Sequence, residues 1–144
     1  MSLTTDHWDI LLSCLVAWLL SQVVKALLNL WQQHSVNLLQ AIFATGGMPS
    51  AHAASVTALT TAIFLAEGVS TAFTVAVILM FVTLRDAVGV RLAAGEQAKV
   101  VNELVAQLNL AHPALHVDHG HTTVQVVAGV VVGIAAAAIV MTLW

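Results

Sequence analysis

Residues 124–144 read VQVVAGVVVGIAAAAIVMTLW, a run with no charged side chain that closes in tryptophan. A helix of that length suits the bilayer, whose hydrocarbon core takes about 20 apolar residues to cross. Gly129 and Gly133 form G-x-x-x-G within it, a spacing that lets another helix backbone approach closely. The run therefore predicts a membrane span, and the rest of the chain can be divided by where charge falls, because a charged side chain at the bilayer centre costs about 2.5–3.5 kcal/mol. Three further spans emerge. The first covers about residues 8–31, is uncharged over 10–24, and has Lys25 near enough to its end to snorkel. The second begins just after Gly46-Gly47-Met48-Pro49 and reaches Ala66, before Glu67-Gly68. The third covers about residues 69–84 and stops at Arg85-Asp86.

Composition agrees. Of 144 residues, 60% are hydrophobic and 8% charged, against about 45–50% and about 25% in soluble domains. Four Lys+Arg and seven Asp+Glu leave a net charge of -3 with no basic run, which excludes nucleic acid as a partner. Cys14 is the single cysteine and lies in an apolar stretch, so neither a disulfide framework nor a thiolate zinc site forms within one chain. The length suits one membrane domain over 1–144, and the start of the chain has no positive segment of the kind that opens a signal peptide.

Between the third and fourth spans, Val101, Leu104, Val105 and Leu108 recur at helical spacing. Glu96, Lys99, Asn102, Glu103 and Gln107 fill much of the remainder, with Lys99 placed to pair with Glu96 or Glu103. This predicts an amphipathic helix over 91–110 that lies at the membrane interface, followed by a loop over 111–120. The fold class expected is thus all-α: an integral membrane helical bundle of about four spans plus an interfacial amphipathic helix.

Lys25, Arg85, Arg91 and Lys99 all lie at or beyond the same ends of the spans. The positive-inside rule puts those ends in the cytosol and both termini outside. Residues 46–52, 85–91 and 119–121 then share one membrane face.

On that face, Gly46-Gly47-Met48-Pro49-Ser50-Ala51-His52 opens the second span. Its glycines free the backbone, Pro49 suits a first helical turn, and a helix N-terminus favours an anion such as phosphate. His52, one turn in, is placed to bond that anion or protonate a leaving oxygen. A plain turn before a helix explains the same residues. His121 stands at the start of the fourth span, where Thr122 or Thr123 is placed to cap the helix; alone it also reads as an interfacial polar residue. Asp86 is open to two roles, an ion pair with Arg91 or Lys25, or the orienting of a catalytic histidine. His112, His116, Asp118, His119 and His121 would suit zinc or nickel by type, but Pro113 and Gly120 indicate a loop, and the spacing matches no dedicated metal motif, so no metal site is assigned.

Taken together, Gln22-x-x-Lys25, Gly46-Gly47-Met48-Pro49-Ser50-x-His52, Asp86-Ala87-x-Gly89-Val90-Arg91, Ala94-Gly95-x-Gln97-Ala98 and Gly120-His121-Thr122 resemble the divergent branch of the type 2 phosphatidic acid phosphatases (PAP2). These are distant relatives of acid phosphatases and vanadium-dependent haloperoxidases. The resemblance implies His121 as a nucleophile that forms a phosphohistidine, His52 as general acid, and Lys25 and Arg91 as phosphate ligands; the reading of the residues themselves adds Ser50 and Gly47 at the same anion site and Asp86 as a catalytic candidate that orients a histidine. The resemblance implies no cofactor. Where the broader superfamily has an acid four positions after the nucleophile, this chain has Gln125, which accepts a ring N–H without adding charge. The expected function is hydrolysis of a lipid or prenyl phosphate or diphosphate at the cytosolic face of a multi-pass protein in a bacterial cell membrane. The alternative is a PAP2-like protein with little or no catalysis that binds anionic lipids or a partner subunit. A thin bundle of this kind is also a candidate for self-association.

Overall fold

The computed structural model describes residues 8–31, 47–115, 117 and 120–143, and these form helices α1 (Trp8–Trp31), α2 (Ala51–Glu67), α3 (Thr71–Val88), α4 (Val90–Gln107) and α5 (Thr123–Leu143). The all-helical class is as expected. Among the described residues, three segments are long and apolar enough to cross a membrane: Trp8–Asn29, Thr71–Gln107 and Thr123–Leu143. The expected second span, α2, has 17 residues, which at 1.5 Å per residue is roughly 25 Å and short of the bilayer core. It stands in the middle of the bundle, packed on α1, α3 and α5.

Small residues make that packing possible. The inward stripe of α1 runs Ser13, Ala17, Ser21, Lys25, one residue every four, and all are buried. Ser13 and Ser21 return their hydroxyls to the carbonyls of Asp9 and Ala17, each at 2.8 Å, so neither leaves an unmet donor in the core. α2 is alanine-rich on several faces, with Ala53, Ala54, Ala58 and Ala62 fully buried. α5 meets it through its two glycines: a Cβ at Gly129 would strike the Ser50 carbonyl, and one at Gly133 would strike the Ala54 carbonyl. The glycine face is therefore filled by the chain's own α2. Large side chains point outward instead, among them Leu11, Leu15, Phe81 and Val131. This is the pattern of helices that associate by close backbone contact while lipid solvates their bulky residues.

α2 ends at Gly68, whose φ of +68° is in the left-handed region and whose amide bonds to the Phe64 carbonyl. Two residues later the Ser70 hydroxyl caps α3 by accepting from the Phe73 amide at 3.1 Å. Phe64 and Phe73 pack across this turn with ring centroids 5.2 Å apart. Within α2, the Thr60 hydroxyl donates to the Val56 carbonyl at 2.8 Å and shares that proton with the Ala76 carbonyl of α3 at 3.2 Å.

α3 runs past its expected end and takes Arg85 and Asp86 into its last turn. Gly89 separates it from α4, which begins at Val90 and stops at Gln107. The apolar face expected on α4 is present in the helix but is not covered by the bundle: Val101, Leu104 and Leu108 are exposed. Lys99 makes no ion pair with Glu96 or Glu103 among the described residues. Asn102, read from sequence only as part of the polar face, has a specific task. Its amide donates to the Leu115 carbonyl at 2.9 Å and accepts from the Leu115 amide at 2.8 Å. The chain after α4 is thereby strapped back along the helix, and it returns to the bundle at Gly120, which packs on the Leu92 backbone closely enough that a Cβ would lie 2.5 Å from its Cα.

Candidate active site

Backbone turns and hydrogen bonds bring the distant motifs to one end of the bundle. Gly47, with φ +90°, turns the chain into α2, and the methylenes of the buried Lys25 pass about 3.5 Å from where a Gly47 Cβ would stand. A Met48–Pro49 cis peptide follows. Ser50 then caps α2, its hydroxyl accepting from the Ala53 amide at 3.4 Å, while its own amide donates to the Gln125 carbonyl at 3.0 Å. The His121 amide donates to the Ala87 carbonyl at 3.2 Å, which fixes the entry to α5 against the end of α3.

The first turn of α5 is closed reciprocally. The Gln125 amide donates to the Thr122 hydroxyl at 3.4 Å, and the Thr122 amide donates to Gln125 Oε1 at 3.0 Å. This is a capping box, the pairing that Thr-x-x-Gln before an apolar run encodes. The same Gln125 oxygen lies 3.3 Å from Nδ1 of His121.

His52, Asp86, Arg91 and His121 line a single pocket of about 240 Å³ together with Thr83, Ala87, Val90 and Ala94. Four helix ends contribute: the start of α2, the last turns of α3, the first turns of α4, and the residue before the cap of α5. Asp86 pairs with Arg91 through Nε, one of the two roles the sequence left open for it. That contact occupies one edge of the guanidinium and leaves its two NH2 groups as further donors. Lys25 lies outside the lining but within electrostatic reach of both His52 and His121. Ser50 is buried beneath, as the cap of α2, and Gly47 is the turn beside Lys25.

Electrostatics favour a neutral His121. Burial pushes its imidazole below the ordinary histidine value, and the charges of Lys25 and His52 push in the same direction. Hydrogen bonds to Gln125 and to the Gly47 backbone oppose the shift without cancelling it.

Of the histidine-rich loop, His116, Asp118 and His119 lie outside the described residues, as do His7, His34 and Gly46. His112 is exposed, with Nδ1 2.8 Å from the Pro113 carbonyl. No group of three or more His, Cys, Asp or Glu fit to hold a metal occurs among the described residues.

A family model described as the Divergent PAP2 family matches residues 7–136, nearly the whole chain. The chain belongs to that family. It is also 43% identical over 100 residues to the uncharacterized membrane protein YuiD of Bacillus subtilis (strain 168), a match that covers 69% of this chain and 63% of the relative. The chain thus spans less than two thirds of that relative's length. No solved structure matches. The matched segment takes in every residue singled out from the family's motifs, from Lys25 to His121.

Two contributions to the site were read incompletely in the sequence. Thr83 was missed, and Ala87, Val90 and Ala94, quoted there only as motif residues, shape the pocket by their position at the α3–α4 break. Gln125 was seen only as a replacement for an acid, although Thr122-x-x-Gln125 was readable as a capping box.

Proposed function

We propose that this protein is a membrane phosphatase that hydrolyses the phosphate or diphosphate of a lipid or prenyl alcohol through a phosphohistidine on His121. The reading rests on one observation above all: two histidines and an arginine from separate motifs line one pocket at the end of an apolar bundle. A phosphoryl group in transfer spreads negative charge over its oxygens, so cations and N–H donors held in place do most of the catalytic work. Arg91 and Lys25 supply the cations, and the starts of α2 and α5 supply oriented backbone dipoles.

In this mechanism the neutral His121 ring attacks the terminal phosphorus and its bond to the bridging ester or anhydride oxygen breaks. His52 gives that oxygen its proton, so the alcohol leaves from a monophosphate and the lipid monophosphate leaves from a diphosphate. Water then attacks the phosphohistidine, His52 takes the proton from the water, and inorganic phosphate departs with His121 restored. The protein uses no metal or cofactor. Asp86 positions Arg91. The site sits where spans end, so an amphiphile entering from the bilayer places its phosphate in the pocket with its tail still in lipid. Clustering of Lys25, Arg85 and Arg91 at this end supports a cytosolic site in a bacterial cell membrane.

The test is phosphate release by the purified protein in detergent from phosphatidate, phosphatidylglycerophosphate and prenyl diphosphates, with and without chelator. Chelator-resistant release that disappears in a folded His121→Ala protein is the expected result. Turnover retained in that variant overturns the mechanism.

Two observations favour a second reading, an anionic-lipid-binding protein of the same fold: the partner of His121 is uncharged, and Arg91 already has a carboxylate beside it. Saturable vanadate or phosphate binding with no release from any lipid phosphate would select it.

A further inference from the structure

Gly120 and His121 touch both sides of the corner between α3 and α4. The His121 amide donates to the Ala87 carbonyl at 3.2 Å, just before Gly89. Gly120 lies on the Leu92 backbone just after it, so closely that a Cβ would come 2.5 Å from the Leu92 Cα and 2.7 Å from its nitrogen. That obstacle is backbone, which cannot turn aside as the tip of a side chain can. Little else locates α4. Among the described helices it packs on α3 alone, and the link between the two is Gly89, a residue type that leaves the backbone many conformations. Yet Val90, Arg91 and Ala94 of α4 line the pocket together with His52 and His121. The place of Arg91, next in the chain to Leu92, is thus set by whatever fixes the first turn of α4 against the bundle.

We propose that Gly120 is a positioning residue for Arg91: because it has no side chain, the Gly120-His121 pair braces the corner at Gly89 and holds the guanidinium at the two histidines. A side chain at position 120 is accommodated either by shifting residues 120 and 121 or by swinging α4. His121 is buried, bonded to α3 through its amide and followed at once by the capped start of α5, which resists the first. α4 yields instead and carries Arg91 away. The bonds between Asn102 and Leu115 tie α4 only to the loop that follows it, so they do not oppose this swing. The inference rests on the phosphatase reading for what Arg91 does in the pocket. The brace itself is measured without ligand or turnover, so its failure and the failure of that reading are distinguishable.

The experiment follows the pH midpoint of His52 by NMR, in the full chain in detergent micelles with 15N-labelled histidine; the His52 signals are identified by their loss in His52→Asn. Burial, Arg91 and Lys25 disfavour the protonated His52 ring and Asp86 favours it, so the midpoint rises when Arg91 moves away. Arg91→Gln is expected to raise it. Gly120→Ala is expected to raise it too, and the two changes together no further than Arg91→Gln alone, whereas effects of independent sites add. Asn102→Ala, which frees the far end of α4, is expected to leave it in place. An unmoved midpoint in folded Gly120→Ala overturns the proposal, as do additive effects of Gly120→Ala and Arg91→Gln. A shift as large in Asn102→Ala also overturns it, because α4 is then located by the loop and not by Gly120. Should Gly120→Ala fail to fold, the wild type decides: a nuclear Overhauser cross-peak between the Gly120 Hα protons and the Leu92 backbone protons is expected, and its absence overturns the brace.

Discussion

The Ser50 amide donates to the Gln125 carbonyl at 3.0 Å, joining the cap of α2 to the first turn of α5. Because His52 lies two residues beyond one partner and His121 four residues before the other, this bond sets the spacing of the two histidines. It forms only because Gly129, one turn further along α5, has no side chain to hold Ser50 away.

Gly129→Ala is therefore expected to wedge the two helix starts apart. The new Cβ would meet the Ser50 carbonyl and come within 2.9 Å of the Ala53 Cβ. Overpacking of this kind costs about 1–3 kcal/mol. Unfolding in detergent should show that loss, and phosphate release should fall further than stability does. Val131→Ala, on an exposed position of the same helix, is the control. Equal stability of the two variants would argue against this packing.

Activity should persist below the pH at which an ordinary histidine protonates. Burial, reinforced by Lys25 and His52, holds the His121 ring neutral in the folded protein, with its pKa below the usual value. The acid limb of kcat/KM is expected to fall below about 6.5, the unperturbed histidine value. The sign for stability follows from the same shift. As pH drops through the ordinary value the unfolded chain takes up the proton first, so the contribution of His121 is whole above that value and is lost progressively as pH falls toward the lowered folded value. His121→Asn should flatten this part of the acid-side stability profile.

Arg91 and Asp86 should separate cleanly by kinetics. Charge-assisted hydrogen bonds are worth about 1.5–3 kcal/mol, so Arg91→Ala is expected to weaken vanadate binding roughly ten- to hundredfold. Asp86→Asn breaks a largely exposed pair, worth about 0.2–1 kcal/mol, and should weaken binding by no more than about fivefold. A larger effect at Asp86 than at Arg91 would mean that the carboxylate does more than hold the guanidinium.

Asn102→Ala should release the loop from α4 by removing both of its bonds to Leu115. Each neutral hydrogen bond contributes about 0.5–1.5 kcal/mol, and these are exposed. Hydrogen exchange at the Leu115 amide is expected to quicken while exchange in the middle of α2 stays as it was. Unchanged exchange at Leu115 would show that the strap does not hold in solution.

The helices were legible where the sequence carries local signals. Trp8–Trp31 coincides with the first expected span, and Ala51–Glu67 starts where Pro49-Ser50 and ends where Gly68 indicate. Arg85-Asp86 misled the boundary of α3 because a charged pair ends the apolar stretch without ending the helix. The helix is capped only later, at Gly89, whose amide bonds back to the Arg85 carbonyl. α4 was legible as amphipathic, but the expected pairs of Lys99 with Glu96 or Glu103 do not form among the described residues, since an exposed pair gains too little to hold two long side chains in place.

For the site, sequence order and the one-sided distribution of basic residues were enough to put His52, Asp86, Arg91 and His121 on one face, and the family's motifs attached chemistry to them. Those signals are local or additive: hydropathy, charge at span ends, glycine and proline at turns. What they leave open is which side chain meets which. That Asp86 turns to Arg91, that Gln125 takes the Nδ1 side of His121 while closing its own helix, and that Gly129 and Gly133 accept α2 were decided by tertiary structure. Each depends on the distance between backbones from separate parts of the chain, and that distance is set only when the small-residue faces of α1, α2 and α5 come together.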